Sequence, residues 1–62
     1  MDHKYNVGDI IQYQIDGVAY YTWLVLSVSH HGVYTLHDLA KDRIEEYVTH
    51  DIDSNRLIRK IA

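Results

Sequence analysis

The chain has 62 residues, no cysteine, and a formal net charge of -3 from six basic and nine acidic side chains. Disulfides and cysteine-based zinc sites are thereby excluded, and a general nucleic-acid binder, which relies on Lys and Arg to neutralise phosphates, is disfavoured. One domain over residues 1–62 is expected; at this length folding buries only ~60% of the unfolded surface, so stability must come from the apolar core, good turns or self-association.

Hydrophobic residues make up 47% of the chain and charged residues 24%, a globular rather than a disordered composition. Six tyrosines and one tryptophan, with no proline, favour strands over helices. No stretch approaches the ~20 apolar residues of a membrane span, and no basic segment leads into an apolar one at the N-terminus. A cytoplasmic protein without a membrane partner is the expectation, in keeping with the absence of cysteine.

In chain order, Val7-Gly8-Asp9 opens a first strand over Ile10 to Ile15, with Ile11, Tyr13 and Ile15 on one face and Ile10, Gln12 and Gln14 on the other. Asp16-Gly17 then predicts a type I′ turn, since both of its central positions need positive φ. A long second strand follows from Val18 to Ser29, and His30-His31-Gly32 reverses the chain, with glycine suited to the left-handed position. Strand three is expected over Val33 to His37 and strand four over Arg43 to Thr49, joined by a turn at Leu39-Ala40-Lys41-Asp42. A competing helical register runs from Leu36 to Tyr47, carried by Leu36, Leu39 and Tyr47. Residues 50–54 are rich in Asp and Ser, which bond nearby backbone, and predict one 3₁₀ turn whose Ile52 points into the core. Arg56 to Ile61 supply the fifth strand.

The second strand is the informative one. Alternation puts Tyr21, Trp23 and Val25 on one face and Tyr20, Leu24, Leu26 and Val28 on the other, so both faces are apolar, unlike a strand with one solvated face. A bulge near Leu26-Ser27 would return Val28 to the side of Trp23 and Val25 and bend the strand. The alternative is that Leu24 and Leu26 are covered by a partner, which makes a homodimer a second expectation.

Five short strands, a bent second strand and one turn before the last strand resemble the SH3-like barrels, particularly the Tudor- and KOW-like group. The residues that carry the resemblance are Val7-Gly8-Asp9 with Ile11, Asp16-Gly17, Trp23, Val25 and Val28, and the Asp51-Ile52-Asp53 to Ile61 ending. The resemblance covers nearly the whole chain and concerns the fold. It implies an all-β, five-stranded SH3-like barrel acting as a non-catalytic binding module, of the kind found in short phage and bacterial accessory proteins.

Three sets of side chains are candidates for chemistry. The aromatics come first. In barrels of this kind an exposed aromatic cluster receives proline-rich peptides or alkylated ammonium groups. Trp23 and Tyr34 read as core, and Tyr13, Tyr20, Tyr21 and Tyr47 as divided between core and surface. The five histidines, His3, His30, His31, His37 and His50, lack the HxH and HExxH spacings and read as solvated rather than metal-binding. The acids Asp38, Asp42, Glu45, Glu46, Asp51 and Asp53 crowd one segment, while Arg56, Arg59 and Lys60 close the chain.

No nucleophile motif, phosphate loop or converging carboxylate pair is visible, for Glu45 and Glu46 alternate to opposite faces of a strand. The expected function is a protein–protein interaction or regulatory module that needs no cofactor or metal. Its surface would combine Tyr13, Tyr20, Tyr21, Leu24, Leu26 and Tyr47 with acids at Asp38 and Glu45, beside Asp16. The rival is nucleic-acid binding through Arg56, Arg59, Lys60, Arg43 and Lys4 beside exposed tyrosines.

Overall fold

The computed structural model describes residues 3–62. It contains β1 (Ile10–Ile15), β2 (Val18–Ser29), β3 (Val33–Asp38), β4 (Arg43–Val48), the short helix α1 (Thr49–Asp53) and β5 (Ile58–Lys60). The strands form one antiparallel sheet in the order β4-β3-β2-β1-β5. The sheet is not closed: β4 and β5 are its two edges. No helix among the described residues is long and apolar enough to cross a membrane.

Local turn chemistry sets the strand bounds. Asp16 and Gly17 both take positive φ, 51° and 80°, as a type I′ hairpin requires. Gly32 has φ 84° and closes the three-residue loop between Ser29 and Val33. Asp42, at φ 53°, ends the β3–β4 turn and interrupts the helical register that Leu36 to Tyr47 suggested. Those residues divide between two strands, with Leu36 buried and Leu39 exposed. β5 is shorter than expected because Arg56 and Leu57 are held in a turn by Asn55, whose Oδ1 accepts from the Leu57 N–H at 2.9 Å and whose carbonyl accepts from the Ile58 N–H.

Residues 50–54 correct the 3₁₀ expectation. Thr49–Asp53 is α-helical, and the Ser54 N–H donates to the His50 carbonyl four residues back at 3.0 Å. Only the exit is 3₁₀-like, where the Asn55 N–H donates to the Ile52 carbonyl. The helix is anchored at its start, since the Thr49 N–H donates to the Gly32 carbonyl at 2.8 Å.

Two bulges set the parity of β2. Against β3, Val25 pairs with Leu36 and Ser27 with Thr35, so Leu26 is the extra residue. Val28 is thereby returned to the face of Trp23 and Val25, pairs with Tyr34 and packs on the core. Against β1, Tyr21 pairs with Tyr13 and Ala19 with Gln14, which leaves Tyr20 as the second extra residue.

The core is one cluster on the inner face of the sheet: Tyr5, Ile11, Trp23, Val25, Tyr34, Leu36, Ile52 and Ile58. Three separate segments are tied into it through polar bonds. The fully buried Tyr34 donates its hydroxyl to Asp53 Oδ1 at 2.6 Å and accepts from the Tyr5 N–H at 3.1 Å. Tyr5 in turn donates its hydroxyl to the Ile58 carbonyl, and the Lys4 N–H donates to the other Asp53 oxygen. Burial first, then the bond to Asp53, raises the Tyr34 hydroxyl to a pKa of about 12.

The sign of the linkage is fixed by that elevation. A tyrosine whose folded pKa lies above its ordinary value of 10.0 contributes its full stability below pH 10, and loses it as pH rises toward about 12. Tyr34→Phe should lower stability by about 1–3 kcal/mol at neutral pH, because Asp53 and the Tyr5 N–H lose their partner. It should also flatten the alkaline loss of stability between pH 10 and about 12. Urea unfolding at stepped pH measures both, and equal alkaline slopes in the two proteins would exclude Tyr34 as their source.

Candidate functional site

Four rings line up on the inner face where the sheet leaves the core. Tyr13 and Tyr21 face each other across the β1–β2 ladder, edge to face, with centroids 6.1 Å apart. Tyr21 and Trp23, two residues apart on β2, therefore point the same way and stack at 5.2 Å, 7° from parallel. Trp23 meets Tyr47 of β4 at 5.6 Å. Two of the contacts thus need only strand periodicity, while the third depends on the packing of β2 and β4 across β3.

These rings form one side of a groove of about 420 Å³, and α1 with its exit forms the other through Asp51, Ile52 and Asn55, with Ile58 of β5 closing the base. That volume lies within the range of small-ligand and side-chain pockets. Trp23 and Ile58 are buried, whereas Tyr13, Tyr21 and Tyr47 are half-buried and offer ring surface to solvent. The groove is apolar along its floor and carries hydroxyl, amide and carboxylate groups at its rim.

Its electrostatics are acidic. Glu45 Oε1 accepts from the Trp23 indole N–H at 3.1 Å and from the Tyr47 hydroxyl at 3.4 Å. Burial first, then the Glu45 charge and that hydrogen bond, hold the Tyr47 hydroxyl above the ordinary tyrosine range; the Asp38 charge acts in the same direction. Asp38 itself pairs with Trp23 in register and is fully buried. Its Oδ1 accepts from the Ala40 and Lys41 N–H groups, both at 3.1 Å, while Oδ2 has no hydrogen-bond partner among the described residues. The same turn carries the Lys41 side chain back across the sheet, so that Nζ lies 5.1 Å from the centre of the Tyr21 ring.

The structure divides the residues singled out from the sequence. Tyr13, Tyr21 and Tyr47 line the groove, Glu45 is bonded to two of its rings, and Asp38 lies buried opposite Trp23. Tyr20 stands exposed at its bulge and takes no part in lining it. Leu24 and Leu26 are remote from it as well. Leu24 sits in the outer-face row Ile10–Leu24–His37–Ile44, and Leu26 is exposed at the other bulge. Asp16 is exposed in the β1–β2 turn.

The histidines are dispersed. Among the described residues no three metal-ligating side chains converge. His37 bonds Asp42 at 2.7 Å on the outer face, and the His30 and His31 rings lie against each other, both exposed. Of the basic residues, Arg43 lies 4.0 Å from Glu45, Lys60 3.4 Å from Asp9, and Lys41 over Tyr21.

Sequence reasoning missed Tyr5 as a core residue, Asp51 and Asn55 as part of the groove, and Lys41 as the cation over the Tyr21 ring. Asn55 lies beyond the end of α1, so no helical spacing in the sequence marks it as a partner of Asp51 in the groove. No family model, curated protein or solved structure matches this chain.

The link from Glu45 to Tyr47 is open to direct titration. Glu45→Gln removes the charge yet keeps an oxygen for the Trp23 indole, so the Tyr47 hydroxyl should titrate lower than in the parent chain. It should still titrate above an ordinary tyrosine, because burial is the larger cause. Carbon-13 NMR of the Tyr47 ring carbon bearing oxygen follows this; an unmoved titration would remove Glu45 from the field at the groove.

Proposed function

We propose that the chain is a non-catalytic protein-interaction or regulatory module that docks a segment of another protein in the groove between the β1–β2 hairpin and α1. The observation that carries this reading is the row of four contacting rings, Tyr13, Tyr21, Trp23 and Tyr47, of which the three tyrosines are part-exposed along a groove with an apolar floor and a polar rim. Aromatic rings supply large, rigid contact area with little rotamer entropy to lose, which is why they anchor protein interfaces. The fold we propose is of the SH3-like kind, supported by the bulged β2 and the single helical turn before β5.

A non-catalytic role is supported by the arrangement of the acids. Glu45 and Glu46 diverge to opposite faces of β4, and Asp51 is the only carboxylate lining the groove among the described residues. A nucleic-acid role draws little support from the cations, because Arg43 and Lys60 lie beside carboxylates.

Short peptides with proline-rich, leucine-rich, basic and acidic sequences, titrated against Trp23 fluorescence and amide shifts, test the reading. A binding peptide should move the signals of Tyr13, Tyr21 and Tyr47. Tyr21→Ala should weaken it by about 5- to 30-fold, as expected for a central interface aromatic. Salt-sensitive binding of a random oligonucleotide with no response to any peptide would instead establish the nucleic-acid alternative.

A further inference from the structure

One ring of the groove, that of Tyr21, already carries a cation, the chain's own Lys41, which lies over the ring without lining the groove. Its Nζ is 5.1 Å from the centre of the Tyr21 ring, within the distance at which a ring quadrupole attracts an ammonium group. Tyr21 is stacked on Trp23, whose indole N–H is committed to Glu45. A second carboxylate, that of Asp38, is fully buried opposite Trp23 and retains an oxygen with no hydrogen-bond partner among the described residues. A third, Asp51, lies at the far rim. Aromatic faces backed by carboxylates in a partly water-excluded groove favour an organic cation over a neutral group of the same shape.

We propose that the anchor accepted by the groove is a basic side chain of the partner protein, and that Lys41 is an intramolecular competitor which that side chain displaces from Tyr21. The inference rests on the docking role proposed above and specifies the chemistry of its occupant. Lys41 suits the role of a competitor because, among the described residues, its side chain is held by the one ring contact, while its backbone is fixed by the bond from its N–H to Asp38. Moving the side chain away leaves the turn intact. The contact is weak enough to be displaced, since an exposed cation–π pair is among the smaller stabilising interactions in a protein.

The test uses the full chain and short capped peptides identical except at one central position, occupied by arginine, lysine, trimethyllysine or the neutral norleucine. Binding is read from Trp23 fluorescence and the amide shifts of Tyr21 and Tyr47. The cationic peptides should bind, with norleucine weaker by about tenfold or more. Lys41→Met, which removes the charge and keeps the stem, should tighten the cationic peptides by about 2- to 10-fold without affecting norleucine. The thermal midpoints of the two proteins serve as the folding control, and Lys41→Gln as the second variant should the first be destabilised.

Norleucine binding as tightly as lysine, or cationic peptides unimproved in both Lys41 variants, would overturn the proposal. These failures are distinct from failure of the docking role itself. If leucine- or proline-rich peptides still fill the groove, the module stands and only its preference for a cation is wrong; if no peptide of any kind shifts Tyr21, the docking role falls with it.

Discussion

The parity of β2 is the constraint on which the other features depend. β2 is the central and longest strand of the sheet, paired with β1 through Val18 to Leu24 and with β3 through Trp23 to Ser29. A regular strand would send Val28 to the opposite face from Val25, and the core would lose its contact at the Tyr34 end. Fully burying a valine contributes about 1.5–3 kcal/mol against the 5–15 kcal/mol that holds a typical domain together, and the half-buried Val28 contributes part of that. The extra residue at Leu26 avoids that loss. Tyr20 is the matching extra residue on the other side, and both bulge residues are exposed. The two-sided apolarity of Tyr20 to Val28 therefore has a mainly local cause. Tyr20 and Leu26 are outward because the ladder skips them, and only Leu24 occupies a regular outer-face position.

Much of this architecture was legible because turn chemistry and strand alternation are local. Asp16-Gly17 and Gly32 announce their reversals through the conformations they permit, and the bounds of β1 and β2 follow. Trp23, Val25 and Ile52 were legible as core for the same kind of reason, a run of apolar residues or a lone one in a polar turn. What was hidden depends on distant contacts. Tyr5 precedes every element and follows no periodicity; it is buried because its amide finds Tyr34 and its hydroxyl finds Ile58. Whether the sheet closes is likewise a property of its two edge strands, β4 and β5, and no short motif encodes their separation.

The candidate site divides in the same manner. Tyr13, Tyr21 and Trp23 are brought together by pairing and alternation, so their proximity could be foreseen from β1 and β2 alone. Tyr47 joins them from β4, two strands away from Trp23 and in register with Tyr34, so that contact is a diagonal one which neither strand alone announces. Asp38, between Trp23 and Arg43 in the ladder, folds its carboxylate onto the backbone of the following turn. Its burial could not be read from composition, where an aspartate in an acidic segment counts as a solvated surface group. The acids that crowd one segment of the sequence are sorted by depth: Asp38 is buried, Glu45 and Asp53 are half-buried and bonded to aromatic side chains, and Asp42, Glu46 and Asp51 are exposed.

This sorting explains how so small a chain keeps an apolar groove part-open. α1 has only five residues and no side-chain cap, so its own hydrogen bonds cannot hold it in place. It is held by Ile52 in the core, by Thr49 on the Gly32 carbonyl, and by Asp53 on the Tyr34 hydroxyl. Those tethers lie on the core side of the helix, which leaves Asp51 and Asn55 free to form the wall facing the rings. The helix is therefore fixed at a distance from Tyr13 and Tyr21 rather than collapsed onto them. Loss of the Asp53–Tyr34 bond would affect the groove as well as the stability, because the same short helix serves both.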